Sequence, residues 1–198
     1  MGVATLPQLD VILASASPRR RELLALVFPS FRVIPSSFDE NMVPPELDPP
    51  GHVVYSAEMK AKDLAGTYLE SLVIAADTVV VIDGEILGKP ADQRDAARML
   101  RALSGRTHQV YTGVAVARHG RLRSDFECTD VTFADLSDET ISRYIATGEP
   151  MDKAGAYAIQ GKGSVLISGI NGCYFNVVGL PLHNLSRLLE QFGIPPLT

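Results

Sequence analysis

Along this chain the apolar positions switch repeatedly between continuous runs, as buried strands make, and the three-to-four spacing of a helix face. Residues 11–14 form a short apolar run that predicts a buried strand. Ser17 and Pro18 then start a helix, with Ser17 as cap and Pro18 at the first helical position, where its missing N–H costs nothing. Leu23, Leu24 and Val27 give that helix an apolar face. Residues 31–35 predict a second strand. Pro44, Pro45, Pro49 and Pro50 predict loop over 39–51. Helical spacing returns over 53–69, with Val54, Ala57, Ala61, Leu64 and Ala65 on one side. The run Leu72–Ile82 predicts a strand, Asp83-Gly84 a tight turn and Glu85–Leu87 the return strand.

Asp92 caps a helix that ends near Ser104-Gly105, with Ala96, Met99, Leu100 and Leu103 inward. Residues 108–117 and 125–133 predict strands paired across a turn at His119-Gly120. Ser137 caps a helix reaching Thr147-Gly148. Residues 154–172 are Gly-rich and predict loop and strand. Gly179-Leu180-Pro181 leads into a last helix ending near Phe192-Gly193. Strands and helices mix throughout, without repeats or low-complexity linkers, so the expected class is α/β in one domain over 1–198. Residues 92–147 are compatible with a lobe packed on a shared sheet.

Composition narrows the field. With 198 residues, 46% hydrophobic and 21% charged, the chain is neither disordered nor fibrous and needs no disulfide to hold a core. No apolar run approaches the ~20 residues of a membrane helix. Residues 1–9 lack the pattern of a secretory leader. Cys128 and Cys173 form neither a disulfide framework nor a zinc site, and His52, His108, His119 and His183 supply no further ligands at a recognisable spacing. A reduced cytoplasmic setting is the expectation. The net charge of −5 disfavours nucleic acid, whose binding rests on a basic surface. Arg19, Arg20 and Arg21 form the one dense basic cluster, suited to a small polyanion.

Five stretches carry candidate chemistry. In Ala14-Ser15-Ala16-Ser17-Pro18-Arg19-Arg20, a strand passes through small residues into a helix start, where backbone N–H groups and arginines together attract anions. The triplet is equally well explained as a solvated run. Asp77, inside an apolar strand, is costly unless paired or metal-bound. It can serve as a catalytic acid or base, cap a helix, or pair with an arginine. Asp39 and Glu40 offer oxygen ligands for Mg²⁺ or Mn²⁺, but on their own are solvated loop charges. Lys60 and Lys89, taken alone, are surface lysines. Residues 152–161 combine small residues, which admit a base or ribose near the backbone, with Gln160, whose amide can read a base edge. Gly161-Lys162-Gly163 is no P-loop: that pattern needs Gly at 156 and Ser or Thr at 163, where the chain has Ala156 and Gly163.

The ordered set Leu13-Ala14-Ser15-Ala16-Ser17-Pro18-Arg19-Arg20, Ala75-Ala76-Asp77-Thr78, Leu87-Gly88-Lys89-Pro90, residues 99–105, Thr112-Gly113-Val114, Gly148-Glu149-Pro150-Met151-Asp152-Lys153-Ala154-Gly155 and Asn176-Val177-Val178-Gly179-Leu180-Pro181 resembles the Maf (septum-formation) proteins, which are nucleoside triphosphate pyrophosphatases. The resemblance covers nearly the whole chain. It implies a twisted mixed sheet flanked by helices, two lobes around a central cleft, similar to inosine triphosphate pyrophosphatases. It implies metal-assisted hydrolysis of a nucleoside triphosphate to monophosphate and pyrophosphate, with Asp77 as proton acceptor. Ser15, Arg19, Arg20, Glu40, Lys60 and Lys89 match the family's active-site set. On that basis the cationic members would bind the triphosphate, and Glu40 with Asp77 would hold the metal. Arg19, Thr78 and Gln160 match positions tied to substrate choice. Ile159-Gln160-Gly161 resembles the dTTP/UTP branch, with 7-methyl-GTP hydrolysis and a non-catalytic role in septum formation as alternatives. A homodimer is implied in the same way, while the acidic charge balance and the lack of a long apolar run lead to no expectation of a nucleic-acid or membrane partner.

Overall fold

The computed structural model describes residues 9–195. The reading of a missing leader therefore falls, but for Leu9, outside the described residues. One seven-stranded sheet organises the chain. Its strands are β1 (Val11–Leu13), β2 (Arg32–Val33), β3 (Leu72–Ile82), β4 (Glu85–Leu87), β5 (Thr107–Arg118), β6 (Arg121–Phe133) and β7 (Ile167–Asn171). The order is β2-β1-β3-β5-β6-β7, with β4 also on β3. Only β1 pairs in parallel, with β2 and β3; the other pairings are antiparallel. The helices are α1 (Pro18–Leu24), α2 (Pro49–Ala65), α3 (Gln93–Leu103), α4 (Asp138–Ala146), α5 (Tyr174–Val178) and α6 (Leu182–Glu190). None of the described helices is long and apolar enough to cross a membrane.

β3 is covered on both faces, which is why its sequence is almost uniformly apolar. Side chains alternate, so Leu72, Ile74 and Ala76 pack with β1, α1 and α6, whereas Val73 and Ala75 pack under Ala57 and Ala61 of α2. Further along, Val80 and Ile82 join a separate core with α3, α4 and β6. The strand thus runs from one core into another, and Asp77-Thr78 lies at the crossing.

The predicted strands β3 and β4 form over the expected residues. The long hairpin extends further than expected, to Thr107–Arg118 and Arg121–Phe133, and turns at His119-Gly120, both with positive φ. The loop predicted over 39–51 is corrected at both ends. Glu40–Met42 makes a 3-10 turn capped by Asp39, and α2 begins already at Pro49, with the Asp48 side chain accepting from Gly51 N. Two prolines in the first turn do no harm, because the N–H groups they lack have no helical partner there. Ala65 rather than residue 69 ends α2, at a Gly66 cap. The Gly-rich stretch contains two 3-10 turns, Ala154–Ala156 and Gly161–Leu166, and a third, Glu149–Asp152, precedes it; sequence patterning anticipated none of them.

Candidate active site

The cleft begins with an interruption in a ladder. On one side β3 pairs continuously with β5 from Val73 to Val81. On the other, β1 covers Leu72 to Ile74 and β4 covers Val80 to Ile82, which leaves the edge between them open. Ala14 N donates to Ile74 O at the last rung of β1. The next carbonyl facing the same way, Ala76 O, receives Arg20 Nη1 at 2.8 Å instead. Asp77 and Thr78 flank this opening on opposite faces of the strand.

Asp77 is 7% exposed, as is Lys60. Lys60 Nζ donates to Asp77 Oδ1 and to Glu40 Oε1, both at 2.6 Å. Lys60 reaches that point because α2 sits unusually low on the sheet. The residue opposite Asp77 on β5 is Gly113. A Cβ there would lie 2.2 Å from Val53 O, so only glycine admits the α2 backbone. From Val53, Lys60 lies two turns on along the same face. Glu40 is brought over by its 3-10 turn, while neighbouring Asp39 is occupied as the cap. The preceding segment is tied down by Ser36 and Ser37, which donate to Asp63 on α2. Burial pushes the Glu40 carboxyl up, but the Lys60 hydrogen bond and the charges of Lys60, Lys89 and Arg20 outweigh it and hold the group below its ordinary value. Lys60, which alone suggested a surface lysine, is thus a buried bridge between two acids. Among the described residues, Asp77 pairs with this lysine and with neither a helix end nor an arginine.

Arg20 is engaged almost entirely by protein. Its Nε donates to Gly179 O at 2.9 Å, Nη1 to Ser15 Oγ at 3.3 Å as well as to Ala76 O, and Nη2 to Thr78 Oγ1 at 3.0 Å. It fastens β3, the β1–α1 turn and the segment before α6 together. Thr78 Oγ1 also lies 3.0 Å from Thr112 Oγ1. Ser15 Oγ accepts from Ser17 N, shaping the turn into α1. Arg19, by contrast, stands at the rim, 3.3 Å from Glu22 and with 38% of its side chain exposed.

The opposite wall comes from the β4–α3 loop and residues 151–160. Lys89 lines it and forms no ion pair among the described residues. Its charge helps lower the carboxyl pKa of Glu40 on one side and of Asp152 on the other. Lys153 is paired with Asp152. The small residues expected to admit a ligand have another use at Gly155. It adopts φ +66° and packs against Val80, where a Cβ would come within 2.9 Å. Gln160 does face the cleft, and its Oε1 is buried without a hydrogen-bond partner among the described residues. The sequence reading missed Glu149, which organises the loop beyond Gln160. Paired glycines at 161 and 163 were the available signal, since amides turned by such residues collect on an anion.

These walls enclose a cleft of about 890 Å³, within the range for small-molecule sites. All of Ser15, Arg19, Arg20, Glu40, Lys60, Asp77, Thr78, Lys89 and Gln160 line it. Two carboxylates converging on a single cation, here the Lys60 ammonium, are hard oxygen donors of the kind Mg²⁺ or Mn²⁺ takes alongside substrate phosphate. Among the described residues there is no cluster of three or more His, Cys, Asp or Glu side chains that would cage a metal alone. The residues fit a cation shared with a ligand.

An open mixed sheet flanked by helices agrees with the architecture expected from the resemblance. Solved structures share it: a HAM1 protein from Coxiella burnetii (TM-score 0.51, 17% identity, 93% of this chain and 100% of that one) and the Staphylococcus aureus Ham1 protein (0.53, 16%, 92% and 99%). At these identities the likeness concerns fold alone. The family is given by sequence: the Maf-like protein model matches residues 10–192, and the chain belongs to the Maf family. Relatives named dTTP/UTP pyrophosphatase include those of Bacillus pumilus (50% identity, 94% of this chain and 98% of the relative), Clostridium acetobutylicum (48%, 94% and 99%) and Clostridium botulinum (46%, 93% and 98%).

Proposed function

We propose that this protein hydrolyses dTTP and UTP to the monophosphate and pyrophosphate. The observation that carries the reading is Asp77, a buried carboxylate at the open edge of β3, facing a cleft with cations on both walls. The names of its relatives support the substrate.

Asp77 Oδ1 is taken by Lys60, and its second oxygen is the acceptor for the proton of the attacking water. Water adds to the α-phosphorus, the bond to the bridging oxygen breaks, and pyrophosphate leaves. Lys60, hydrogen-bonded to Oδ1, orients Asp77 toward the water. Lys89 and Arg19 are the side chains best placed to neutralise the leaving charge, since Arg20 is engaged by protein acceptors and positions Thr78 and Ser15. A divalent cation held by Glu40 and Asp77 would add electrostatic neutralisation of the triphosphate. At the base end, the unpartnered Gln160 Oε1 suits the ring N–H that thymine and uracil present and cytosine lacks. We take the setting to be the reducing cytoplasm, the partner to be the free nucleotide, and the assembly to be a homodimer.

Pyrophosphate release from dTTP, UTP, CTP and 7-methyl-GTP, with Mn²⁺ and with chelator, tests the reading. The expected result is turnover of dTTP and UTP that chelator abolishes. Preference for 7-methyl-GTP, or no monophosphate from any of them, would overturn it.

A further inference from the structure

The loop that carries Gln160 is held from behind by two side chains that line no part of the chemistry. Tyr144 projects from α4 and Glu149 from the 3-10 turn Glu149–Asp152. Tyr144 Oη donates to Glu149 Oε1 at 3.0 Å and accepts from Ala158 N at 3.2 Å. Glu149 accepts from Gly163 N at 2.8 Å and from Lys162 N at 3.0 Å. One phenol–carboxylate pair therefore grips both ends of the segment 158–163, with Gln160 between the grips. The fit is close. A Cβ at Gly161, whose φ is +74°, would meet Glu149 Oε2 at 2.6 Å, and one at Gly163 would meet Ala158 O at 2.3 Å and Tyr144 Oη at 2.7 Å. Burial pushes the Glu149 carboxyl up, yet the two amides, the phenol and the charge of Lys153 together hold it below its ordinary value, so it stays an acceptor.

We propose that Glu149, seated against Tyr144, is a positioning residue that fixes the Gln160 amide toward the nucleobase and so sets the preference for thymine and uracil over cytosine. The inference rests on the reading that Gln160 contacts the base. A loop held in one conformation presents its acceptor without an ordering cost, and that benefit reaches only ligands whose base uses the acceptor.

The test is steady-state kinetics of Glu149→Gln and Tyr144→Phe with dTTP, UTP and CTP. Glu149→Gln keeps the shape but replaces one acceptor oxygen by an NH₂ group facing an amide. For it, KM for dTTP should rise about tenfold with kcat within about threefold, and the dTTP:CTP ratio of kcat/KM should fall about tenfold. Tyr144→Phe should move the ratio in the same direction by a smaller factor. A role confined to stability would lower Tm and scale turnover of every nucleotide alike. Wild-type discrimination that persists unchanged in both variants overturns the inference and leaves the enzymatic reading standing. A wild type indifferent to dTTP and CTP overturns the base contact at Gln160, and with it the inference. Should Glu149→Gln fail to fold, an unchanged ratio in Tyr144→Phe is sufficient to overturn.

Discussion

At the scale of single residues, the site depends on one ammonium shared by two carboxylates. Asp77→Asn removes the proton acceptor while keeping its shape. Turnover should fall by about 10²–10⁴, the usual worth of a general base, with nucleotide binding retained in a direct titration. Lys60→Met should be harsher on the fold. It leaves Asp77 buried without its partner, a loss of about 3–5 kcal/mol that should lower Tm by at least about 6 °C in a calorimetric scan. The suspicion attached to Asp77 was available from sequence, because an acid inside Leu72–Ile82 demands compensation. The identity of the compensating group was not. Lys60 lies seventeen residues earlier on a helix, and nothing in its neighbours distinguishes it from a solvated lysine. The engagement of Arg20 was equally hidden, since three of its four acceptors come from two distant segments.

At the scale of elements, α2 and β5 must touch backbone to backbone for the bridge to form. Gly113→Ala places a methyl group against Val53 O. Overpacking of this kind costs about 1–3 kcal/mol, and the route of relief is for α2 to lift, drawing Lys60 from Asp77. The expected outcome is a lowered Tm together with a fall in kcat, whereas Gly84→Ala at the β3–β4 turn, where φ is +78° but an added Cβ would meet no atom beyond its chain neighbours within 4 Å among the described residues, should strain only the turn and spare kcat. Strands β3 and β4 were legible because period, length and turn chemistry agree. The start of α2 was not, because Pro44, Pro45, Pro49 and Pro50 look alike in sequence although the last two sit harmlessly in a first helical turn behind Asp48. The 3-10 turn Gly161–Leu166 escaped because Glu149 and Tyr144 hold it and its approach from outside the segment.

At the scale of the whole molecule, stability should respond to pH through a group remote from catalysis. His108 is buried between Phe133 and Tyr157, and burial lowers its pKa from 6.5 to about 4. The unfolded chain binds this proton first, so the contribution is complete above pH 6.5 and is lost as pH falls toward 4. Urea midpoints should decline across that window by the equivalent of up to about 3 kcal/mol, and His108→Phe should flatten the decline. Below pH 4.5, Glu40 and Glu149 add to the loss, since both are held below that value when folded. The opening in β3 has a final consequence. Bare strand edges invite foreign chains to dock by main-chain pairing, which is a route to aggregation. Here the vulnerable oxygen is already covered by a guanidinium, and β1 and β4 bracket the bare stretch so tightly that an intruding peptide would find no run of rungs to climb. The same arginine that braces the pocket therefore also closes this gap to strangers.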